Sequence, residues 1–323
     1  MATSGVTTFN PVRDQIVNGA LRLVGAYAST DSPRPEQSRD ALEALNMMLK
    51  SWQIDGLLWL KETGVLFLSA NQYQYDLGAT GDHCVSDYVQ TTLAANALAG
   101  AGSVTLTSAT GVTDGDFIGI SNNNGVIEWF YVNMTGAVAA LFSDVTLLVP
   151  ATLGVAAASG NNAFSHTVAA QMGRPTRIFT ATRKSVQSGY EIPMIQIARE
   201  DYLRLPNKAT ASTPVQFYYD PQLVLGKVNI WPAPSSTSDV LVLNMDRTIQ
   251  DMVSDLNTFD LPQEWAEAIK YNLAAKIAAE YGLPMNERQM LQQEAMALKE
   301  NIKSYSIENA STFFGVQSYG SQS

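Results

Sequence analysis

Apolar residues recur at helical spacing near both ends of this chain and at strand spacing in between. Asn10-Pro11 opens the first helical stretch, since proline suits a first turn. Ile16, Ala20, Leu23, Val24 and Tyr27 form its stripe. Beyond a Ser/Asp/Pro loop from Ser29 to Pro35, Leu42, Leu45, Leu49 and Trp52 recur at spacings of three and four. Ala41 and Met48 stand beside them, which predicts a second helix ending before Gly56. The short loop predicts that the two pack as an antiparallel hairpin. Near the other end, Asp260 is placed to N-cap, Pro262 to start a first turn and Gln263 to close a capping box. Trp265, Ile269, Leu273, Ile277 and Tyr281 then form a row at i+4, which Gly282 and Pro284 end. Asn286 and Gln289 start a fourth helix with Leu291, Ala295, Leu298, Ile302 and Tyr305 on one face.

The period changes after Lys61. Val65 to Leu68 and Tyr73 to Tyr75 read as short strands, as do Val104 with Leu106, Phe117 to Ile120, Ile127 to Val132 and Val145 to Val149. Clusters such as Ser121-Asn-Asn-Asn-Gly125 and Gly160-Asn-Asn162 punctuate them. Further strands are predicted at Arg177 to Thr180, Ile192 to Ile197, Val215 to Tyr219, Val228 to Ile230 and Val240 to Leu243. A short helix falls around Glu200 to Leu205. Pro232 and Pro234 restrict the Trp231 strand to an edge or an end.

These patterns predict an α+β fold. An antiparallel helical frame of four main helices would carry a β-rich segment and an inserted small all-β barrel or sandwich. The expected divisions are an N-terminal helical hairpin (1–62), a β-rich part of the frame (63–88 and 167–252), an inserted acidic β domain (89–166), a C-terminal helical pair (253–307) and an extended tail (308–323).

Charge sharpens the division. From Glu62 to Gly173 there is no Lys or Arg, while Glu62, Asp76, Asp82, Asp87, Asp114, Asp116, Glu128 and Asp144 give that stretch a net charge of −8 out of −10 for the whole chain. Such asymmetry is a clue to partners. It argues against tight binding to phosphate backbones, which needs clustered cations. Charged residues make up only 15 % of the chain, against roughly 25 % in ordinary domains, which suits a subunit whose faces neighbours cover and equally a weakly charged monomer. The lone Cys84 excludes an intramolecular disulfide. Met1 to Asn10 lacks a basic and an apolar region, so no signal peptide is expected, nor is a membrane span.

Candidate chemistry is sparse. His83 and Cys84, close to Asp82 and Asp87, suggest a metal, but His166 is the only other histidine and zinc spacing is missing. Asp114, Asp116 and the Asn122 to Gly125 loop lack calcium-loop spacing and read as turns. Glu264 and Glu267 flank Trp265 and fit a first helical turn better than a glycosidase pair. Arg174, Arg177, Arg183 and Lys184 form a modest basic cluster, suited to a solvated face or ion pairs. No cofactor and no catalytic residue is predicted.

Several segments carry a resemblance: Gly19-Ala-Leu-Arg-Leu-Val-Gly25, Asp40-Ala-Leu-Glu-Ala-Leu-Asn-Met-Met-Leu-Lys-Ser-Trp52 with Asp55-Gly56, Tyr202-Leu-Arg-Leu-Pro-Asn-Lys208, Gly226-Lys-Val-Asn-Ile-Trp-Pro-Ala-Pro234 and Pro262-Gln-Glu-Trp-Ala-Glu-Ala-Ile-Lys-Tyr-Asn-Leu-Ala274. In order and joint occurrence they resemble the head-to-tail adaptors of short-tailed bacteriophages, also called packaged-DNA stabilisation proteins or tail accessory factors. The 89–166 insert departs from the compact members. The resemblance implies a structural virion protein, not an enzyme, at the head–tail junction. It implies a ring of twelve copies between the portal protein and the tail nozzle, extending the channel through which packaged DNA passes and helping to retain it. A C-terminal extension contacts the portal in that family, so Phe313, Phe314 and Tyr319 are the portal-interface candidates. Two other readings stand beside it: a virion-associated cell-wall glycan hydrolase resting on Glu264 or the insert's carboxylates, and a host-glycan-binding module built on the insert.

Overall fold

The computed structural model describes residues 9, 11–28, 31–55, 60–144, 149–254, 258 and 260–305. Among the described residues it is sheet-rich, with five α-helices, 27 % helical and 33 % strand positions, and four sheets. The expected four-helix antiparallel frame with β additions is therefore corrected. Long amphipathic helices announce themselves at a 3.6 period. Many strands here are two to five residues long or buried on both faces, so their alternation is weak and their total weight goes unseen.

The helices are Arg13–Leu23 (α1), Pro35–Trp52 (α2), Arg199–Arg204 (α3), Trp265–Ile277 (α4) and Met285–Tyr305 (α5). The chain divides into two compact units, one of Met1–Leu60 with Ile249–Ser323 and the other of Lys61–Thr248. In the first, α1 packs on α2 and α4, α2 on α4, and α4 on α5. Leu45, Leu49 and Trp52 are buried together with Trp265, Ile269, Leu273 and Ile277, and Leu42 packs half-buried at their edge. Trp52 and Trp265 lie 5.7 Å apart at 56°. The buried face of α1 is Ile16, Val17, Ala20, Leu21 and Val24, whereas Leu23 is turned outward.

Local chemistry sets the helix ends. Gln15 and Gln37 reach back to accept the Val12 and Arg34 amides at 3.2 and 2.9 Å, half of a capping box. Gly25, at φ +67°, ends α1. The Ala26 amide reaches Leu21 O and the Gly25 amide reaches Arg22 O, a Schellman closure that needs the left-handed residue. Asp260 does not stand at the α4 cap position: Glu264 does, without a side-chain cap bond. Asp260 accepts the Gln250 amide at 3.1 Å. Asn272 instead ties α4 to α5, donating to Ala268 O and Ala295 O at 2.8 Å each.

The second unit holds the four sheets. A five-stranded sheet runs Glu191–Pro193 (β12), Arg177–Ser185 (β11), Asp239–Asp246 (β18), Lys61–Phe67 (β1) and Cys84–Val85 (β3). A four-stranded sheet runs Ile195–Gln196 (β13), Gln216–Asp220 (β15), Gly226–Trp231 (β16) and Gln74–Leu77 (β2). Ala211–Ser212 (β14) pairs with Ala233–Pro234 (β17). Leu66, Leu241, Leu243 and Met245 from the larger sheet share a core with Tyr75, Phe217, Val228 and Ile230 from the smaller. β16 is an inner strand that ends at Trp231, so Pro232 costs it no ladder bond.

A seven-stranded sheet occupies residues 89–166. Its order is Val89–Thr92 (β4), Asn162–His166 (β10), Phe117–Ser121 (β6), Ile127–Thr135 (β7), Val138–Asp144 (β8) and Ser103–Thr105 (β5), with Val149–Pro150 (β9) added on β8. Leu93 bridges Leu106, and the Ala94 and Thr107 amides reach Thr105 O and Thr92 O at 2.8 Å each. The sheet thus closes into a barrel whose inside is Leu93, Val104, Ile118, Ile120, Val132 and Leu141. Val138–Asp144 is a strand that the sequence reading missed, since Val-Ala-Ala-Leu has little β preference. Of the strand expected at Val145 to Val149, residues 145–148 lie outside the described residues. The barrel's outer residues Ile127 and Phe164 share a buried cluster with Phe67, Val85 and Val240. β1 and β18 are therefore covered on both faces.

Truncating the helical core should be costly. Leu49→Ala and Leu273→Ala, at sites 1 % and 0 % exposed, should each lower unfolding free energy by about 2–5 kcal/mol in denaturant titrations. Leu98→Ala, 75 % exposed, should stay within about 0.5 kcal/mol. A loss below about 1 kcal/mol at both core sites would contradict this packing.

Candidate functional site

The polar residues singled out in the sequence are mostly occupied by local structure. Cys84 is buried in the core between the two larger flat sheets, where burial pushes its thiol up to about 12. Asp82 accepts the Asp76 amide at 2.7 Å and Gln72 Nε2 at 3.2 Å, and Asp87 accepts the Tyr88 amide at 2.9 Å. Asp114 accepts the Met134 amide at 2.6 Å, and Asp116 accepts the Thr113 amide and hydroxyl at 2.7 and 3.0 Å. Asn122 Oδ1 accepts the amides of Asn124 and Val126, which is the Asx-type turn its sequence suggests. Among the described residues no group of three or more His, Cys, Asp or Glu could hold a metal ion.

The basic cluster is likewise engaged. Arg183 pairs with Asp239 at 2.6 Å, Arg177 with Asp246 at 3.3 Å and Lys184 with Glu191 at 3.4 Å. Arg174 donates to Gln222 O at 3.2 Å. Glu267 sits on a groove of about 690 Å³ beside Gln15, Arg22 and Lys270. Glu264 remains at the start of α4. Phe313, Phe314 and Tyr319 lie outside the described residues.

The structure does bring together the chain's two histidines, 83 residues apart. Phe164 and His166 of β10, Phe117 of β6, Trp129 and Tyr131 of β7 and Phe142 of β8 share the barrel's outer face. Register makes a row of His166, Phe117, Tyr131 and Phe142 across four adjacent strands. A second row is Phe164, Gly119 and Trp129. A Cβ on Gly119 would come within 2.7–2.8 Å of the Trp129 ring and Ile127, so only glycine lets the indole lie flat there. His83, arriving just before β3, stacks on that indole at 3.7 Å and 15°. Phe117 and Tyr131 rings lie 4.2 Å apart. Cross-strand aromatic pairs of this kind each stabilise a sheet by roughly 0.2–1 kcal/mol.

Hydrogen bonding fixes the tautomers. His166 Nδ1 lies 2.9 Å from Thr167 O, which can only accept, so Nδ1 carries the proton. Neutral His166 then offers Nε2 as acceptor, and His83 Nδ1–H donates to it at 2.8 Å. His83 Nε2 is left with a lone pair. Burial, and secondarily His166, hold His83 down at about 3. Burial also lowers His166, opposed by its bond to Thr167 and by Asp116. Beside the pair opens a cavity of about 440 Å³ lined by Thr80, His83, Phe117, Tyr131, Val168 and Gln171, among others. The signal for this site was the i, i+2 spacing of Trp129/Tyr131 and Phe164/His166. It becomes legible only with the register.

No family model matches the chain, and no curated protein matches it. Among the described residues no helix is long and apolar enough to cross a membrane.

Two outcomes follow from this geometry. Gly119→Ala should lower stability by about 1–3 kcal/mol by displacing Trp129, read as a lower melting temperature with altered near-UV circular dichroism. The histidines also give a signed pH dependence. Unfolded, His83 takes up a proton near its ordinary 6.5, but folded only near 3. Between those values the unfolded chain binds more protons, so this contribution is complete above about pH 6.5 and declines as pH falls toward 3. Urea unfolding at pH 7 and pH 5 should show a smaller loss for His83→Phe than for the unaltered protein. Equal losses would mean that His83 is not held neutral.

Proposed function

We propose that this chain is a structural virion protein, a subunit of the head-to-tail adaptor ring that joins the portal protein to the tail nozzle. Repeated twelve-fold, it extends the DNA channel and helps to retain the packaged genome. One observation supports this reading above the others. The adaptor-like segments 19–25, 40–52 and 262–274, far apart in sequence, all contribute to one helical core. Segments 202–208 and 226–234 also meet, Trp231 Nε1 donating to Asn207 O at 3.1 Å. The closed barrel is then an addition to that body.

The low charge agrees with it. A subunit between neighbours needs surfaces that desolvate cheaply, and a heterologous contact closes into a ring when its rotation allows. The acidic block repels the phosphate backbone, so DNA slides past rather than adhering. Phe313, Phe314 and Tyr319 serve as aromatic anchors in the portal, where such residues dominate interface energy once buried.

The test is assembly. Native mass spectrometry of purified portal with this protein should give portal rings carrying twelve copies. A chain ending after Ile307 should bind portal at least about tenfold more weakly, and Phe313→Ala with Phe314→Ala should reproduce much of that loss. Glu264→Gln should bind normally. Unaltered portal affinity of the shortened chain would sink the tail's role, and no portal binding by the full chain would sink the reading itself.

A further inference from the structure

We propose that the groove between α1 and α4 receives the C-terminal segment of the same chain, with Phe313 and Phe314 on its apolar wall and Glu308 against its cations. Ile16 and Leu23 of α1 and Ala266 of α4 line this groove, and Phe9 stands on it 74 % exposed. Gly19 has no side chain to fill it. The Lys270 stem lies across that glycine, where a Cβ would come within 2.9 Å of Lys270 Cδ. A volume of about 690 Å³ falls within the range of ordinary ligand sites, roughly 300–1,000 Å³, and leaves room for two phenyl rings.

Charge and chain path pick the occupant. Arg22 and Lys270 have no carboxylate partner among the described residues, Lys270 lying only over the Tyr271 ring. Glu267, one turn before Lys270, leaves the groove with two cations against one carboxylate. Two terminal segments outside the described residues could reach it. Residues 1–8 carry neither a carboxylate nor an aromatic ring, whereas residues 306–323 carry Glu308 as their only charged side chain, with Phe313, Phe314 and Tyr319. α5 delivers the latter to the right place. Asn272 bonds Ala295 O, and beyond it Lys299 lies over the Trp52 ring and Ile302 packs on the helical core. Trp52 touches Trp265, so α5 runs back toward the end of α4 from which Ala266 and Glu267 follow. At about 3.3 Å per residue, the chain from Tyr305 to Phe313 reaches about 26 Å, well beyond the width of a helix, about 10–12 Å. A tethered segment also acts at an effective concentration of millimolar order, which favours its own groove over that of another copy.

Chymotrypsin tests the docking on the full chain. Portal, in the adaptor reading, competes for the same aromatics, but the assay contains none, so failure of either idea leaves the other standing. Cleavage after Phe313 and Phe314, followed by mass spectrometry, should be at least about tenfold slower in the unaltered protein than in Leu23→Asp or Arg22→Glu, because proteolysis tracks the population of the open form. Leu23 is 38 % exposed and Arg22 is exposed, so both variants should fold. Cleavage after Tyr190, 70 % exposed in the other unit, should keep one rate throughout. Glu308→Lys should release the segment as well, and combining it with Arg22→Glu should restore much of the protection, which a merely weakened fold would not do. The proposal is overturned if Leu23→Asp and Arg22→Glu leave that cleavage unchanged, the groove then being empty or covered by something else, such as residues 1–8. It is overturned if the combined variant is cleaved as fast as either single one. Loss of protection on dilution of about a hundredfold overturns it too, since the segment would then sit on a second copy.

Discussion

The pairing of β1 with β18 is the constraint on which the sheet unit depends. Seven residue pairs, from Lys61 opposite Asp246 to Phe67 opposite Val240, join the first strand of that unit to its last. The chain therefore enters and leaves the unit at adjacent points, after a loop of nearly the whole intervening sequence. Closing such a loop costs entropy that grows only slowly with its length, so the ladder can offset it by being central. Leu66, Leu241 and Leu243 point into one core, and Phe67 and Val240 into another. A strand pair covered on both faces resists fraying more than an edge pair. At its open end Asp246 is 2 % exposed and held by Arg177, and Arg247 reaches Glu62 at 2.9 Å. Removing Arg177 would leave a buried carboxylate short of a partner, which is the expensive half of such a pair.

The same device recurs one level down. β4 and β10, the first and last strands of the barrel, pair antiparallel from Val89 opposite Ser165 to Thr92 opposite Asn162. The barrel thus also begins and ends side by side, which is how an insertion joins a host with little disturbance. It is not free of its host, however. Phe164 and Ile127 complete the cover over Phe67 and Val240. Ser121 and Thr237 are bonded side chain to side chain, and Ile127 N donates to Ser69 Oγ at 3.1 Å. Cutting the barrel out would bare an aromatic face as well as remove a loop.

What the sequence reveals follows from how one-sided each element is. Leu45, Leu49 and Trp52, and Ile269, Leu273 and Ile277, stand on helices with one covered face, so periodicity marks them. α5 is misleading in this respect: of its apolar row Ala295 is fully buried, whereas Leu291, Leu298 and Ile302 are half-buried, and Met285, Met290 and Met296 are exposed. The run Val240 to Leu243 cannot reveal two cores, because a strand buried on both sides has no alternation to read. His83 and His166 were visible as residues but not as a pair. Their meeting depends on β10 pairing with β6 and on a loop placed by β3, and no local pattern encodes either. The weight of sheet over helix was lost for the same reason, strand by strand.

The acidic block changes meaning once its partners are known. A stretch with eight carboxylates and no Lys or Arg cannot satisfy them with ion pairs of its own. Glu62 and Asp76 borrow cations from the following sequence, Arg247 and Lys227. Four of the others bond mainly to backbone amides: Asp82 to Asp76, Asp114 to Met134, Asp116 to Thr113, and Glu128 to Gly154 and Val155 at 2.7 and 3.1 Å. Asn122 adds a third donor to Glu128 at 2.9 Å. Each such carboxylate works as a staple for a turn, where a charge-assisted bond to an amide is about twice as strong as a neutral one. The amides satisfy geometry without cancelling charge, so the negative potential survives around the barrel. A lysine within salt-bridge reach could satisfy the same oxygens while erasing that potential. A barrel stapled by amides keeps both its turns and its field, and the field bears on every charged molecule that approaches it, phosphate above all, which it repels.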